Sequence, residues 1–253
     1  MAGIAECQLC QGTRWIEVST PRGPAAKRCD CFHEEQRKSR YREMGLPPLL
    51  KDASFDSFSA GDYRTERLRY NTLTAAMGKA KRFVDLFPIT RGKGLLFHGG
   101  SPKDKSDLAV ATLKCLVDKG FSGMYFEYGQ LLRTLQARSD PNAAISGPSW
   151  ATARRVAKVD VLLLDGLGDH RATAWTLDTV GALIKHRYLH EKWLLATTGY
   201  PLEAPLSGEP GNRILGDSLA DRIGQETVFR LVDHCDEVSM GAFQAAGQEP
   251  RPH

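Results

Sequence analysis

The chain has 253 residues, 42% of them hydrophobic, which fits one medium α/β domain with a small appendage and supplies enough apolar material for a real core. Its net charge of +4 is mild: it permits contact with nucleic acid without demanding it. No stretch approaches the ~20 apolar residues of a membrane span, and MAGIAECQLC has no apolar run like that of a secretory leader, so a cytoplasmic, reducing setting is expected.

Four of the six cysteines cluster near the start, as Cys7-x2-Cys10 and Cys29-x-Cys31. A C-x2-C turn aims two thiolates at one tetrahedral metal, and a second close pair completes four ligands. Structural zinc is the expectation, and it would supply stability that so small an appendage cannot draw from its own core. Reduced or redox-active thiols are the alternative, and a disulfide is disfavoured in a reducing compartment. His33 is a substitute ligand or a solvated side chain, while Cys115 and Cys235 read as core residues. Phe32 to Met44 is densely charged and reads as an exposed helix, ended by Gly45–Leu46–Pro47–Pro48. Arg64 to Arg82 carries Arg64, Arg67, Arg69, Lys79, Lys81 and Arg82, which suggests a helix pair facing DNA or a partner, or simply a solvated face.

GLLFHGGSPKDKS, from Gly94 to Ser106, has the outline of the phosphate-binding pattern G-x-x-x-x-G-K-[ST]. Gly99, Lys105 and Ser106 match it; Asp104 stands where the second glycine belongs. In an intact loop the backbone N–H groups and the following helix N-terminus hold the phosphates, and glycine permits the close approach. A carboxylate ~4 Å from a phosphate charge, at an effective dielectric of ~20, is repelled by about 4 kcal/mol. Pro102 removes one more N–H donor. Nucleotide binding is therefore expected to be impaired. An accidental match is the competing reading, and the neighbouring pattern argues against it. GLLFHG reads as a buried strand before the loop, and a helical spacing of apolar residues follows over Asp107–Lys119.

Further on, VDVLLLD (Val159–Asp165) is a buried-strand run that ends in a carboxylate, the shape of a Walker B strand whose Asp holds Mg²⁺. Gly166 follows, where a second acid normally activates water; Asp169, four residues beyond Asp165 on a turn, is the nearest candidate to stand in. WLLATT (Trp193–Thr198) ends where a polar sensor, usually Asn, faces the γ-phosphate, and Gly199 takes that place. Residues 139–149 and 207–211 are rich in Pro, Gly and Ser and read as loops, and the tail from Gly247 has no pattern. Strands are expected near Gly94–His98, Gly123–Glu127, Val159–Asp165, Trp193–Thr197 and Glu237–Ser239, with helices between. That alternation implies a parallel sheet with helices on both faces.

The order and wording of these segments resemble the DnaC/DnaI type of helicase loader, a branch of the AAA+ ATPases that includes the IstB-like transposition helpers. CQLCQGTRWI…KRCDC resembles the cysteine module of such loaders, GLPPLLKDASFDSF their connecting segment, VDVLLLDGLGDHRATAW their Walker B region and WLLATTGYPLEAPL their sensor strand. LADRIGQETVFRL resembles the segment that carries the arginine finger, which assigns that role to Arg222. The resemblance covers about Cys7 to Met240. It implies a P-loop AAA+ sheet over residues 46–245 and a zinc-binding module and linker helix over 1–45; the patternless tail over 246–253 is expected to be disordered. It also implies a site for ATP and Mg²⁺ on Gly99, Lys105, Ser106, Asp165 and Arg222. The partners it implies are a replicative helicase or an active AAA+ homologue in a mixed ring, single-stranded DNA, and copies of the chain itself. The departures at Asp104, Gly166 and Gly199, and the lack of a second-sensor Arg in SMGAFQAAG, remove chemistry at four separate places. Loss of a nucleophile-activating group alone typically costs 10²–10⁴ in rate. The expectation is a pseudo-ATPase adaptor or scaffold; the alternative is an ATP-dependent loader.

Overall fold

The computed structural model describes residues 7–89, 92–136, 148–203 and 218–243. The cysteine segment opens with a hairpin, β1 (Trp15–Thr20) against β2 (Gly23–Arg28), antiparallel and in register from Trp15 opposite Arg28 to Thr20 opposite Gly23. Helix α1 (Asp30–Met44) follows and ends on Gly45, whose φ of 74° is the left-handed conformation that closes helices. A 3₁₀ turn (Pro48–Leu50) leads to α2 (Arg67–Leu86). The expected helix pair over 64–82 is one continuous helix, because Leu73, Ala76, Ala80, Phe83 and Val84 form a single buried stripe.

The rest alternates: β3 (Gly94–His98), α3 (Pro102–Asp118), β4 (Gly123–Glu127), α4 (Tyr128–Gln136), α5 (Pro148–Lys158), β5 (Val161–Asp165), α6 (Ala174–Leu189), β6 (Trp193–Thr198), α7 (Leu219–Ile223), α8 (Gln225–His234) and β7 (Cys235–Ser239). All five of these strands are parallel, in the order β4-β5-β6-β3-β7. The five expected strands are present. β5 starts two residues later than expected, and β7 starts two residues earlier. The expected loop over 139–149 gives way to α5 at Pro148; residues 139–147, the loop at 207–211 and the tail lie outside the described residues.

Strand side chains alternate between faces, and both faces of the inner strands are covered, so β3, β5 and β6 read as apolar runs, while the edge strand β7 exposes Asp236, Glu237 and Ser239. Leu95, Phe97, Val161, Leu163 and Leu195 pack with the α2 and α3 residues Phe83, Leu108 and Leu113. Leu96, Leu162, Leu164, Leu194 and Ala196 pack with Leu131, Val156, Ile184 and Leu231 on the other side. β3 lies between β6 and β7, while the chain leaving β3 crosses to β4 at the far edge. This places a topological switch at the C-terminal end of β3, where open α/β sheets take their ligands.

One charged group lies inside the second layer. Arg187 of α6 is fully buried, and its guanidinium donates to the carbonyls of Val156, Val159, Asp160 and Trp193 at 2.8, 3.2, 2.9 and 2.5 Å. It thus satisfies carbonyls at the end of α5 and ties that end to the starts of β5 and β6. Burial pulls its pKa down to about 10, which leaves it charged at neutral pH. Hydrogen bonds from a charged donor contribute roughly 1.5–3 kcal/mol each, so Arg187→Ala is expected to cost about 3 kcal/mol or more. Arg187→Lys, with one amine for four carbonyls, should recover only part. Urea unfolding of the two variants checks this, and a loss for Arg187→Ala within about 0.5 kcal/mol, the range of ordinary surface substitutions, would contradict it.

Candidate nucleotide site and cysteine centre

The carboxyl ends of β3, β5 and β6 converge on Asp165. It is buried and accepts three hydrogen bonds: from Ser106 Oγ at 2.8 Å and Thr197 Oγ1 at 2.6 Å, both at Oδ1, and from Tyr125 OH at 2.9 Å at Oδ2. Burial, with Asp165 alongside, pushes the Tyr125 phenol far up, so it remains a donor. Ser106 and Asp165 are the hydroxyl and carboxylate that a P-loop site sets around Mg²⁺, and their contact brings them together as that role needs. This half of the site fits the implied metal.

The phosphate half does not. α3 begins at Pro102, five residues before the helix expected from the apolar spacing, so Asp104, Lys105 and Ser106 already lie in its first turns. Proline is at home at the first helical position because its missing N–H has no helical partner there. The loop is thereby reduced to Gly99, Gly100 and Ser101. The Lys105 N–H is engaged by the Ser101 carbonyl at 3.3 Å, as in an ordinary helix, and the Gly100 N–H by Ala242 O at 2.9 Å. Gly99 and Gly100 have φ of 73° and 58°, and the chain beyond β7 lies across them: a Cβ at Gly99 would stand 2.1 Å from Gly241 O, and one at Gly100 2.3 Å from Met240 O. The Lys105 ammonium is buried and turned back on the loop, donating to Gly99 O at 2.8 Å and Gly100 O at 3.2 Å. Burial lowers its pKa, against the pull of Asp169, Asp165 and Asp104.

Asp104 is not the bare charge that the sequence suggests. Its Oδ2 accepts from Arg69 Nη2 of α2 at 2.8 Å. It also sits in the first turn of α3, where the helix dipole favours a negative group. The chain therefore supplies its own anion, with its own countercharge, at the helix end where a phosphate would bind.

Asp169 was legible only as the nearest acid on a turn. The turn after β5 curls back through Gly166 (φ 73°) and Gly168 (φ 97°), with the Asp169 N–H on Gly166 O at 3.0 Å. A Cβ built on Gly166 would stand 2.6 Å from Asp169 Oδ2, so the Asp169 carboxylate fills the space a side chain at 166 would enter. Burial and the neighbouring Asp165 raise its pKa, while Lys105 and Arg222 lower it. Arg222, on α7, lies over the Tyr200 ring, 4.7 Å from its centroid. At Gly199 nothing stands within 4 Å of a built Cβ, and no such group fills the sensor position among the described residues. The structure thus gathers Gly99, Lys105, Ser106, Asp165 and Asp169, brings Arg222 to the edge, and adds Tyr125 and Thr197. Tyr125 carried no sequence signal beyond an aromatic residue in an apolar strand.

At the other end of the fold the Sγ atoms of Cys7, Cys10, Cys29 and Cys31 all lie within 4.8 Å of one another. Cys7–Cys29 is 3.7 Å and Cys10–Cys31 is 3.4 Å, far beyond a ~2.05 Å disulfide bond. The β1–β2 hairpin spans the interval between the two pairs, with the Cys29 N–H on Arg14 O. The tight C-x-C spacing works because Cys29 is the N-cap of α1 and Cys31 lies in its first turn; the pKa of the Cys31 thiol is held up, first by its contact with Cys10. The Cys7 thiol is drawn down to about 7, first by the Cys10 backbone and then by that of Leu9. Four sulfurs in this arrangement are a donor set that fits tetrahedral zinc. Bidentate Arg37–Asp118 contacts (2.6 and 3.1 Å) and Tyr41 OH on Asp118 at 3.0 Å hold α1 to the end of α3.

No protein-family model matches the chain. The uncharacterized protein YqaM of Bacillus subtilis (strain 168) is 24% identical over 209 residues, 79% of this chain; the chain spans only 60% of that relative's length. Among solved structures, the DnaC helicase loader superposes with a TM-score of 0.58 at 27% identity, covering 76% of this chain and 99% of that one. DnaI superposes with a TM-score of 0.56 at 21% identity over 78% of this chain and 95% of its own. The chain has the α/β AAA+ fold of these proteins, and its motif order resembles the DnaC/DnaI type of helicase loader.

Protein purified without chelator is expected to carry about one zinc per chain, as a four-thiolate site requires. Cys10→Ser should unfold the hairpin segment and leave the parallel-sheet domain intact. Elemental analysis and limited proteolysis check both; metal-free protein with an ordered N-terminal segment would refute the zinc assignment.

Proposed function

We propose that this chain is a DnaC/DnaI-like AAA+ protein that has lost ATP hydrolysis and acts as a pseudo-ATPase adaptor or scaffold on a protein partner. The observation that carries this reading is the closed loop: Lys105 is engaged by the Gly99 and Gly100 carbonyls, and the Gly100 N–H by Ala242. Asp104, paired with Arg69, occupies the anion position. A phosphate would have to displace all of these contacts to enter. The partner class is a replicative helicase, or an active AAA+ homologue in a mixed ring to which this chain offers Arg222. The setting is the cytoplasm, which suits a reduced four-cysteine centre; no helix among the described residues is long and apolar enough to cross a membrane.

A second reading rests on one observation. The Asp169 carboxylate stands where a side chain at position 166 would project, beside the Ser106–Asp165 pair. If the loop opens, Asp169 is placed to orient water, and the chain is then an ATP-dependent loader or transposition helper.

Calorimetry with ATP and Mg²⁺ should show no micromolar binding, and phosphate release should stay at background. Asp104→Gly should return some affinity by loosening the first turn of α3, since glycine costs a helix about 1 kcal/mol relative to alanine. Gly166→Glu alone should do nothing, because the residue has φ 73° and its side chain meets Asp169. Only a combination with Gly199→Asn and a shortened Asp169 can reach turnover, with strongly non-additive effects. Tight binding and ordinary turnover by the unmodified protein would falsify the pseudo-ATPase reading, and loss of turnover with binding kept in Asp169→Ala would establish the second.

Single-stranded DNA is a proposed ligand of the exposed basic residues of α2: Arg67 and Arg82 lie opposite the buried stripe, and Lys79 and Lys81 flank it. Binding should be weak, prefer single strands and fall steeply with salt, because phosphate contacts release counterions. Fluorescence anisotropy that shows no binding at low ionic strength, or binding indifferent to salt, removes DNA from the reading.

A further inference from the structure

At the amino ends of β4 and β5, the opposite end of the sheet from the P-loop, there is a cavity of about 350 Å³. Three elements enclose it. α1 contributes Arg40 and Glu43, the start of β4 contributes Ser122 to Met124, and α5 contributes Arg154, Arg155, Lys158 and the following Val159. Val159 and Met124 are buried and form an apolar floor. Four cations thus face one carboxylate. Glu43 itself accepts from Ser39 Oγ at 3.0 Å. The nearest other acid, Asp160, is bound to Lys192 at 3.0 Å and to Ser122 Oγ at 2.7 Å. Among the described residues no carboxylate pairs with Arg40, Arg155 or Lys158. The Arg40 Nε is buried without a hydrogen-bond partner. Arg155 and Lys158 lie in the last turn of α5, where cations are favoured in any case. Arg40 has no such reason to be there; it reaches the cavity from a different helix.

We propose that this cavity is an anion site for phosphoryl groups, separate from the closed P-loop. Guanidinium forks match phosphate oxygens two at a time, and a lining in which Arg40, Arg155 and Lys158 outnumber the one carboxylate, Glu43, calls for a ligand with more than one negative charge. The cavity lies at the lower end of the size range of ligand pockets, roughly 300–1,000 Å³, and has room for more than one phosphate group. Its walls come from both the linker helix α1 and the sheet domain, so a bound anion joins the two. The same chemistry is presented by a free phosphate chain or by consecutive phosphates of a polynucleotide backbone.

The test uses the full zinc-loaded chain, with pyrophosphate and a single-stranded oligonucleotide as separate probes in calorimetry. Arg40→Gln with Arg155→Gln is expected to weaken the bound probe about tenfold or more, as the loss of charge-assisted contacts requires. A charge-matched control, Arg22→Gln with Lys27→Gln in the hairpin, should leave affinity within about twofold, as expected where a lost charge acts only through the screened general field. Pyrophosphate binding lost in the first pair identifies a free phosphate ligand. Oligonucleotide binding alone, with a shallower salt slope in the first pair, identifies a polynucleotide backbone. A readout independent of variant folding is phenylglyoxal modification of the unmodified protein, in which the bound probe should protect Arg40 and Arg155. Binding of neither probe, equal loss in both variant pairs, or no protection of Arg40 overturns the proposal.

Discussion

A single carboxylate organises the upper face of this sheet. Asp165 takes hydroxyl hydrogen bonds from three neighbouring elements: Ser106 of α3, Thr197 of β6 and Tyr125 of β4. A buried carboxylate with too few donors is costly, so these hydroxyls are required wherever the acid is kept. They fix the height at which β4, β5 and β6 end and hold the N-terminal part of α3 against the strand ends. The position of Lys105, one residue before Ser106, follows from that anchorage. So does the turn that starts at Gly166, whose N–H is held by Thr197 Oγ1 at 2.8 Å.

Around this anchor the polar groups of the loop find their partners within the chain. The lysine is bound by loop carbonyls, the helix end by Asp104, Asp104 by Arg69, and one loop N–H by Ala242. Each contact is modest alone. Together they leave a loop whose polar groups are satisfied from within the chain. The same logic explains the other buried charge. Arg187 is tolerated in an apolar layer because four carbonyls receive it.

The parallel strands were legible from sequence because a sheet covered on both faces leaves continuous apolar runs, and VLLLD and WLLATT announce themselves. The cysteine set was legible because metal geometry constrains spacing. The start of α3 was not, because its first turn, PKDK, carries no apolar residue and the apolar pattern begins only inside the helix. Arg69, the partner of Asp104, lies 35 residues away on a helix that reads as a general basic surface. Asp169 was undervalued because its distance along the chain says little once two glycines with positive φ fold the turn back on itself. The hairpin between the cysteine pairs was missed because it is short and mostly exposed, and Arg187 resembles any other cation in a helix until its surroundings are known.

Asp118, which receives Arg37 and Tyr41 from the cysteine segment's helix, is the last residue of α3. The Gly99–Ser101 loop is attached to the first residue of that helix. Seventeen residues separate the two attachments by about 25 Å at 1.5 Å per residue. An α-helix of that length is stiff along its axis, so the two ends share one mechanical element. A displacement of the appendage at Asp118 would therefore be carried along α3 toward Gly99 and Gly100 rather than absorbed within the helix. The cysteine appendage and the Gly99–Ser101 loop thus share one rigid element, gripped at Asp118 and anchored at Ser106.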